Sequence, residues 1–352
     1  MKLAVISDLH LTNSLPYTNP GDSFRKDRLE EYLSFFFQKI EEQTVDFLII
    51  PGDLCHRTVL DSDDVDLLLY VVNKIIETGI RTVILLGNHD LDQNKSILSF
   101  LNRTSKKYRN IMYYDGSSYA KYVFDNITFD TINFCSHSEF TKRTKFLLRN
   151  DSEFSVLVLH IGVKGTLHGT TKSIIGVKKE DIERLSEFYD LIILGHHHKF
   201  QWVTDKCFYA GAAQQTRIDE RNTVPGGLIV SLPGLKIKKI VNSFSPRFKL
   251  VEDYKIIPKE IEGSIVKPIV DTNKFSEEEN ISFLKEIAKY NPYYLIKPRI
   301  KKTFLIKGEK NSYSVDNKRK ALIETMKGFS FEKKDRKEFY EHTLNIYEKV
   351  RR

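Results

Sequence analysis

The feature that most constrains this chain is a series of short apolar runs, each of which stops abruptly at a polar cluster. Leu3-Ala4-Val5-Ile6 runs into Ser7-Asp8-Leu9-His10, and Phe47–Ile50 runs into Pro51-Gly52-Asp53. Thr82–Leu86 runs into Gly87-Asn88-His89-Asp90, Val156–Leu159 into His160, and Leu191–Leu194 into Gly195-His196-His197-His198. Runs this short suit buried strands and fall far below the ~18–20 residues that cross a bilayer, so no membrane span is expected. Between the first three lie helical patterns. One covers Arg25–Gln43 with Leu29, Leu33, Phe36, Phe37 and Ile40 on one side. The other covers Asp63–Glu77 with Val65, Leu68, Leu69, Val72 and Ile76. Strand, helix, strand, helix, strand at such spacing predicts an α/β core with parallel pairing.

Further on, Asp125-Asn126 separates Tyr119–Phe124 from Ile127–Phe134 and predicts a hairpin. Val203, Phe208–Tyr209, Leu228–Leu232 and Ile237–Val241 suggest a second sheet, giving a four-layer α/β/β/α sandwich. Three domains are expected: 1–248 as the main body, 249–312 as a small α+β cap, and 313–352 as a helical hairpin. In the cap, a strand over Ile265–Val270, a helix over Glu277–Tyr290 and a strand over Lys302–Ile306 form a β-α-β unit. In the hairpin, Asp316–Lys327 and Glu332–Val350 read as helices parted by Gly328. The second carries an apolar stripe through Phe339, Tyr340, Leu344, Ile346, Tyr347 and Val350, suited to a partner's groove or to its own body.

Charge is distributed unevenly. The chain has 352 residues with a formal net charge of +8. From Ser276 onward there are 19 Lys and Arg against 12 Asp and Glu, so the remainder is close to neutral. A basic tail suits nucleic acid or an acidic partner, or a plain solvated surface. Lys297–Lys302, beside Tyr293 and Tyr294, is the candidate for tracking phosphates there, whereas Lys106-Lys107-Tyr108-Arg109 reads as a solvated face. Three cysteines, Cys55, Cys135 and Cys207, make an odd set without close pairing, which argues for a reducing compartment and no disulfide framework.

The polar clusters carry the chemistry. Ligands of open α/β sheets gather beyond the carboxyl ends of strands, where all five clusters fall. Carboxylates, an amide oxygen and imidazoles form a mixed oxygen and nitrogen set suited to Mn²⁺, Fe or Zn²⁺ better than to Mg²⁺ alone, and the lack of thiolates argues against a structural zinc. His197 lies between two candidate ligands and should point away. His137, His168 and His342 have no motif around them and read as surface residues.

In this order the motifs resemble the calcineurin-like metallophosphoesterase superfamily over about 1–242. The resemblance implies one metal on Asp8, His10, Asp53 and His198, and a second on Asp53, Asn88, His160 and His196, with Asp53 bridging. Such a pair, ~3.5–4 Å apart, clamps a phosphoryl group and activates water. His89 would be the general acid or transition-state donor. Asp90 would be either a partner behind the ligands or a helix-starting carboxylate. Ile6–Leu11, Pro51–Leu54, Leu86–Leu91, Gly195–His198 and Tyr209-Ala210-Gly211 with Gly226-Gly227-Leu228 are further similar to SbcD-type recombination and repair nucleases, closest to the phage recombination endonuclease branch. That resemblance implies a DNA exonuclease on duplex ends and endonuclease on single strands, with two Mn²⁺ ions and Mg²⁺, Fe or Zn²⁺ as alternatives. It implies a homodimer working with an SbcC-type coiled-coil ATPase in break processing, recombination and replication. The compartment implied is the bacterial cytoplasm, including that of a phage-infected cell. His56 is placed either on the substrate side or in a plain loop. Ala210-Gly211-Ala212 and Gln214–Arg217 depart from the pattern. The rival readings are a small-molecule or protein phosphodiesterase or phosphatase with the same site, and a scaffold that has lost catalysis.

Overall fold

The computed structural model describes residues 1–301 apart from 16–17, 19–22, 94, 117–118, 146, 148–151, 253–260, 272–273, 291, 293 and 296–298. The expected hairpin of 313–352, His342 and the strand over Lys302–Ile306 lie outside the described residues, as do parts of Lys297–Lys302.

The first sheet is built on β1 (Lys2–Val5), β2 (Phe47–Ile50), β3 (Arg81–Ile84) and β4 (Ile111–Tyr113), paired in parallel. Helices α1 (Phe24–Glu42) and α2 (Ser62–Thr78) make the crossovers. Leu29, Leu33, Phe36 and Ile40 recur at helical spacing and are buried, so α1 lays one face on the sheet. In α2 the buried positions are Leu67, Leu68, Val71, Val72 and Ile75, while Val65 and Leu69 are exposed, so its buried stripe is rotated from the one expected. A capping box between Asp61 and Asp64 starts α2, and Gly79, at φ 63°, ends it in the left-handed conformation that costs other residues most.

The second sheet contains β5 (Tyr119–Val123), β6 (Ile127–Ile132), β7 (Phe154–His160), β8 (Leu191–Gly195), β9 (Gln201–Trp202) and β10 (Cys207–Tyr209), in the order β9-β10-β8-β7-β6-β5. β5 and β6 form the expected antiparallel hairpin. One expectation is corrected. β11 (Gly226–Ser231) and β12 (Lys236–Val241) do not enter this sheet; β11 pairs antiparallel with β1 and β12 with β11, extending the first sheet to six strands. Strand pairing so distant in sequence leaves no local trace, and Leu228 and Val230 bury equally well from either sheet.

Alternation within each strand builds three apolar layers. Leu3, Val5, Phe47, Ile49 and Val83 face Phe129, Val156, Val158, Leu191 and Ile193 between the sheets. Ala4, Leu48, Ile50 and Ile84 face α1 and α2. Leu157, Leu159, Ile192 and Leu194 pack outward against Phe140 of α4 (His137–Thr144) and Ile182 and Leu185 of α5 (Lys179–Ser186), after a short α3 at Leu101–Lys107. These layers make the four-layer α/β/β/α sandwich. At the amino ends of the strands Phe47 closes the seam against Phe124 and Phe129, with ring centroids 4.9 and 5.1 Å away.

A smaller sheet follows. β13 (Phe248–Val251), β15 (Tyr294–Leu295) and β16 (Arg299–Lys301) pair in parallel with β14 (Ile265–Asp271). Helix α6 (Glu277–Lys289), capped by Ser276 and Glu279, packs Phe283 and Ile287 with Val266 and Val270. Residues 1–301 form one compact unit. No helix among the described residues is long and apolar enough to cross a membrane. The three cysteines are buried free thiols.

Candidate dinuclear metal centre

The chain leaves β1, β2, β3, β7 and β8 toward one end of the sandwich, and the loops there are laced together. His10 N–H donates to the Asp53 carbonyl at 3.1 Å and Leu11 N–H to that of Leu54 at 2.8 Å. Asp90 is fully buried and clasps the next loop, accepting from Gly87 N and Cys55 N, both at 2.9 Å, and from Leu54 N at 3.2 Å. It thus ties together the backbones of the loops that carry Asp53 and Asn88, with burial and the nearby Asp53 charge pushing its carboxyl up to about 7. Four of the expected ligands stand at positive φ: Asp8 at 47°, His10 at 45°, Asp53 at 51° and His196 at 96°. Such backbone costs free energy at each residue and persists where surrounding contacts enforce it, as this lacing does. Gly87 is required by close approach, because a Cβ there would run into the Asp53 carboxylate.

Two ligand triads result, Asp8 with His10 and His198, and Asp53 with His160 and His196, each drawing on both sheets, while His10, His56 and His89 form a further group on loops of the first sheet; within each group the donors lie within 4.8 Å of one another. Asp53 Oδ2 stands 3.8 Å from His10 Nε2 and 3.4 Å from His160 Nε2, a bridging position. Asn88 Oδ1 lies 2.9 Å from His196 Nδ1 and 3.3 Å from His160 Nε2. Asp8 is held by Ser7 Oγ at 2.5 Å and His196 N–H at 3.0 Å. The seven expected ligands thus converge on one cleft.

Tautomers are set from behind. His160 Nδ1 donates to the Pro51 carbonyl at 2.7 Å, and His198 Nδ1 to Glu220 Oε1 at 2.7 Å, turning both Nε2 atoms inward. Burial would keep His160 neutral, but the charge and hydrogen bond of Asp53, aided by Asp8, lift it to about 9. Burial opposes charge on Asp53 as well, yet His160 and His10 hold it far below the carboxylate range. Burial, helped by the neighbouring His160 and His197, pushes His196 down to about 2, and burial with His198 nearby pushes His10 well below its ordinary value. His10 Nε2 and His198 Nε2 face each other at 3.0 Å, where a single proton can satisfy only one pairing. Inward lone pairs beside carboxylates fit a pair of divalent cations.

His89 sits at the rim. Its backbone N–H donates to Asp53 Oδ1 at 2.8 Å and its Nδ1 to the His56 carbonyl at 2.6 Å, leaving Nε2 for a substrate. His56 stacks on His89 with centroids 5.7 Å apart and lines the same cleft of about 320 Å³. His197 points away as expected, stacking on Tyr209 at 4.6 Å and pairing with Thr166 Oγ1 at 2.9 Å. His168 is corrected: it is half-buried, lines the cleft, and accepts from Arg217 Nη2 at 2.8 Å. Thr216, Arg217 and Glu220 had also gone unseen. For Thr216 and Arg217 the one sequence signal was that 214–217 departs from the family pattern.

The calcineurin-like phosphoesterase family matches residues 1–200. The chain belongs to that family. A protein of Invertebrate iridescent virus 3 named "Putative phosphoesterase 078R" is 27% identical over 206 residues, 55% of this chain and 56% of that protein. The phosphoesterase chain thus spans little more than half the length of that relative. Among solved structures, an archaeal phosphodiesterase matches with a TM-score of 0.35 and 14% identity, covering 68% of this chain and 99% of that one. A dimetal phosphatase from Danio rerio matches with a TM-score of 0.43 and 11% identity, covering 69% and 99%.

Proposed function

We propose that this phosphoesterase is a DNA nuclease subunit hydrolysing phosphodiester bonds with two Mn²⁺ ions, as exonuclease on duplex ends and endonuclease on single strands. In this reading it works as a homodimer with an SbcC-type coiled-coil ATPase in DNA break processing, in a bacterial cytoplasm or a phage-infected cell. The bound ions would draw charge from the phosphoryl oxygens and lower the pKa of water beside the phosphorus. Asp53 sets the spacing between the two triads, and the Asn88 amide orients the second. His89 has its Nδ1 proton committed to the His56 carbonyl, so that in its imidazolium form it would give the Nε2 proton to the leaving oxygen and return to the neutral ring.

The observation that carries nucleic acid as substrate is His56. The resemblance to SbcD-type nucleases implies a second histidine on the substrate side, and His56 lies against His89 in the cleft. The test is a panel of duplex ends, single-stranded circles, cyclic nucleotides and aryl phosphates with the Mn²⁺-loaded chain. DNA should be cut, and His89→Ala should lower the rate by ~10²–10⁴ with metal content unchanged. Turnover of cyclic nucleotides or phosphomonoesters with DNA left intact would replace this reading by a small-molecule phosphodiesterase or phosphatase. Truncation before Asp316 should abolish co-purification with the ATPase; retained binding would place the partner surface on the body.

A further inference from the structure

Beside the metal cleft lies a second cavity of about 400 Å³, and the two share His168 and His196. Its walls are largely apolar, including Phe134, Ile161, Ile175 and Val177. On the other side of Phe134 a third cleft, of about 650 Å³, shares Asn88 with the metal site but is lined by Asp115, Asn133, Glu139 and Arg143. Phe134 is therefore a ridge between a greasy cleft and a polar one, its ring 5.9 Å from that of His196.

The outer wall of the apolar cavity is an arm, residues 163–177. It is fastened at its base by Lys164 N–H to the Val177 carbonyl and Val177 N–H to that of Gly162, both at 2.9 Å. Farther out, Leu167 exchanges two hydrogen bonds with the Gln201 amide, at 2.8 and 2.7 Å. This fixed arm holds Ile174 at 85% exposure and Ile175 at 79%. Two adjacent isoleucines left in water on a rigid arm, continuous with an apolar cavity, form a surface waiting for an apolar partner.

We propose that this cavity is a base subsite: it holds the nucleobase attached to the phosphate that lies on the metal centre. The occupant follows from continuity. A phosphate ester on the metal centre can extend its substituent past His196 and His168 into the apolar cavity, because both residues line the two cavities at once. The planar, weakly polar face of a base matches Phe134 and Ile175, whereas an anionic sugar-phosphate strand matches neither that apolar wall nor the Asp115 and Glu139 carboxylates beyond Phe134. The inference rests on the nuclease reading and adds to it a determinant of which esters bind.

The experiment is calorimetry on the Mn²⁺-loaded full chain with thymidine 5′-phosphate and with deoxyribose 5-phosphate, which lacks the base. The wild type should bind the nucleotide about tenfold more tightly, as expected of one base stacked on an apolar wall. Ile175→Ser, at a position too exposed to endanger folding, should bring the ratio close to one, and so should Phe134→Ala, with metal content measured alongside. A wild-type ratio near one, or a ratio unchanged in both variants, overturns the subsite. If the preference holds while DNA is left uncut, the subsite stands and the DNA reading falls. If DNA is cut while the ratio is one, only the subsite falls.

Discussion

The two halves of the metal centre are built alike but supported differently. Asp8, His10 and His198 are all buried, and the imidazole of His198 leans on a carboxylate, Glu220, that is itself fully enclosed. His160 in the other half leans on a neutral carbonyl, and His196 stands half-exposed beside the substrate cleft. A carboxylate behind an imidazole makes it a stronger ligand than a carbonyl does. The first half is thus an anchor, and the second is the face that meets solvent and substrate.

The harshest way to break that contrast is to remove the group common to both halves. Asp53→Asn should drop metal content from two ions per chain to less than one and abolish turnover, read by elemental analysis and a Mn²⁺ assay. Asn tolerates the left-handed backbone that this position requires, so the fold should persist. If both ions stayed with full activity, Asp53 would not be the bridge.

A selective blow falls on Glu220. Glu220→Gln should weaken one of the two ions by ~10–100-fold and leave the other nearly unchanged, resolved by titration calorimetry. Equal weakening of both would erase the distinction between anchor and exchangeable face.

The smallest effect is one of pH. In metal-free protein His160 is raised to about 9 from an ordinary 6.5, so its pairing with Asp53 is fully stabilising below 6.5 and is lost as pH climbs through about 9. With metal present the sign reverses, because the ion requires the unprotonated ring. Melting temperatures of chelated and loaded protein should therefore diverge between pH 6.5 and 9. Parallel curves would show that His160 does not hold a metal.

Most of the sandwich was legible because buried parallel strands are short apolar runs and their ends are abrupt. The candidate ligands were legible for the same reason, because all seven fall at a strand end or within a few residues past one. Glu220 was not, because it reaches His198 across a loop 22 residues away with no periodicity to mark it. His168 was misread as a surface residue because only the arm's fastening turns it toward Arg217. The membership of β11 and β12 was missed because β1 and β11 meet across more than 220 residues of chain.

Each triad draws on both sheets: Asp8 and His10 follow β1 and Asp53 follows β2, while His160 ends β7 and His196 and His198 follow β8. The ions would therefore act as rivets across the seam between the two sheets. That seam is closed at its opposite end by Phe47, Phe124 and Phe129, which need no cation. The sandwich is hinged shut at one end by aromatic rings and locked at the other by charge, so loading the metals and stiffening the mouth of the molecule are a single event.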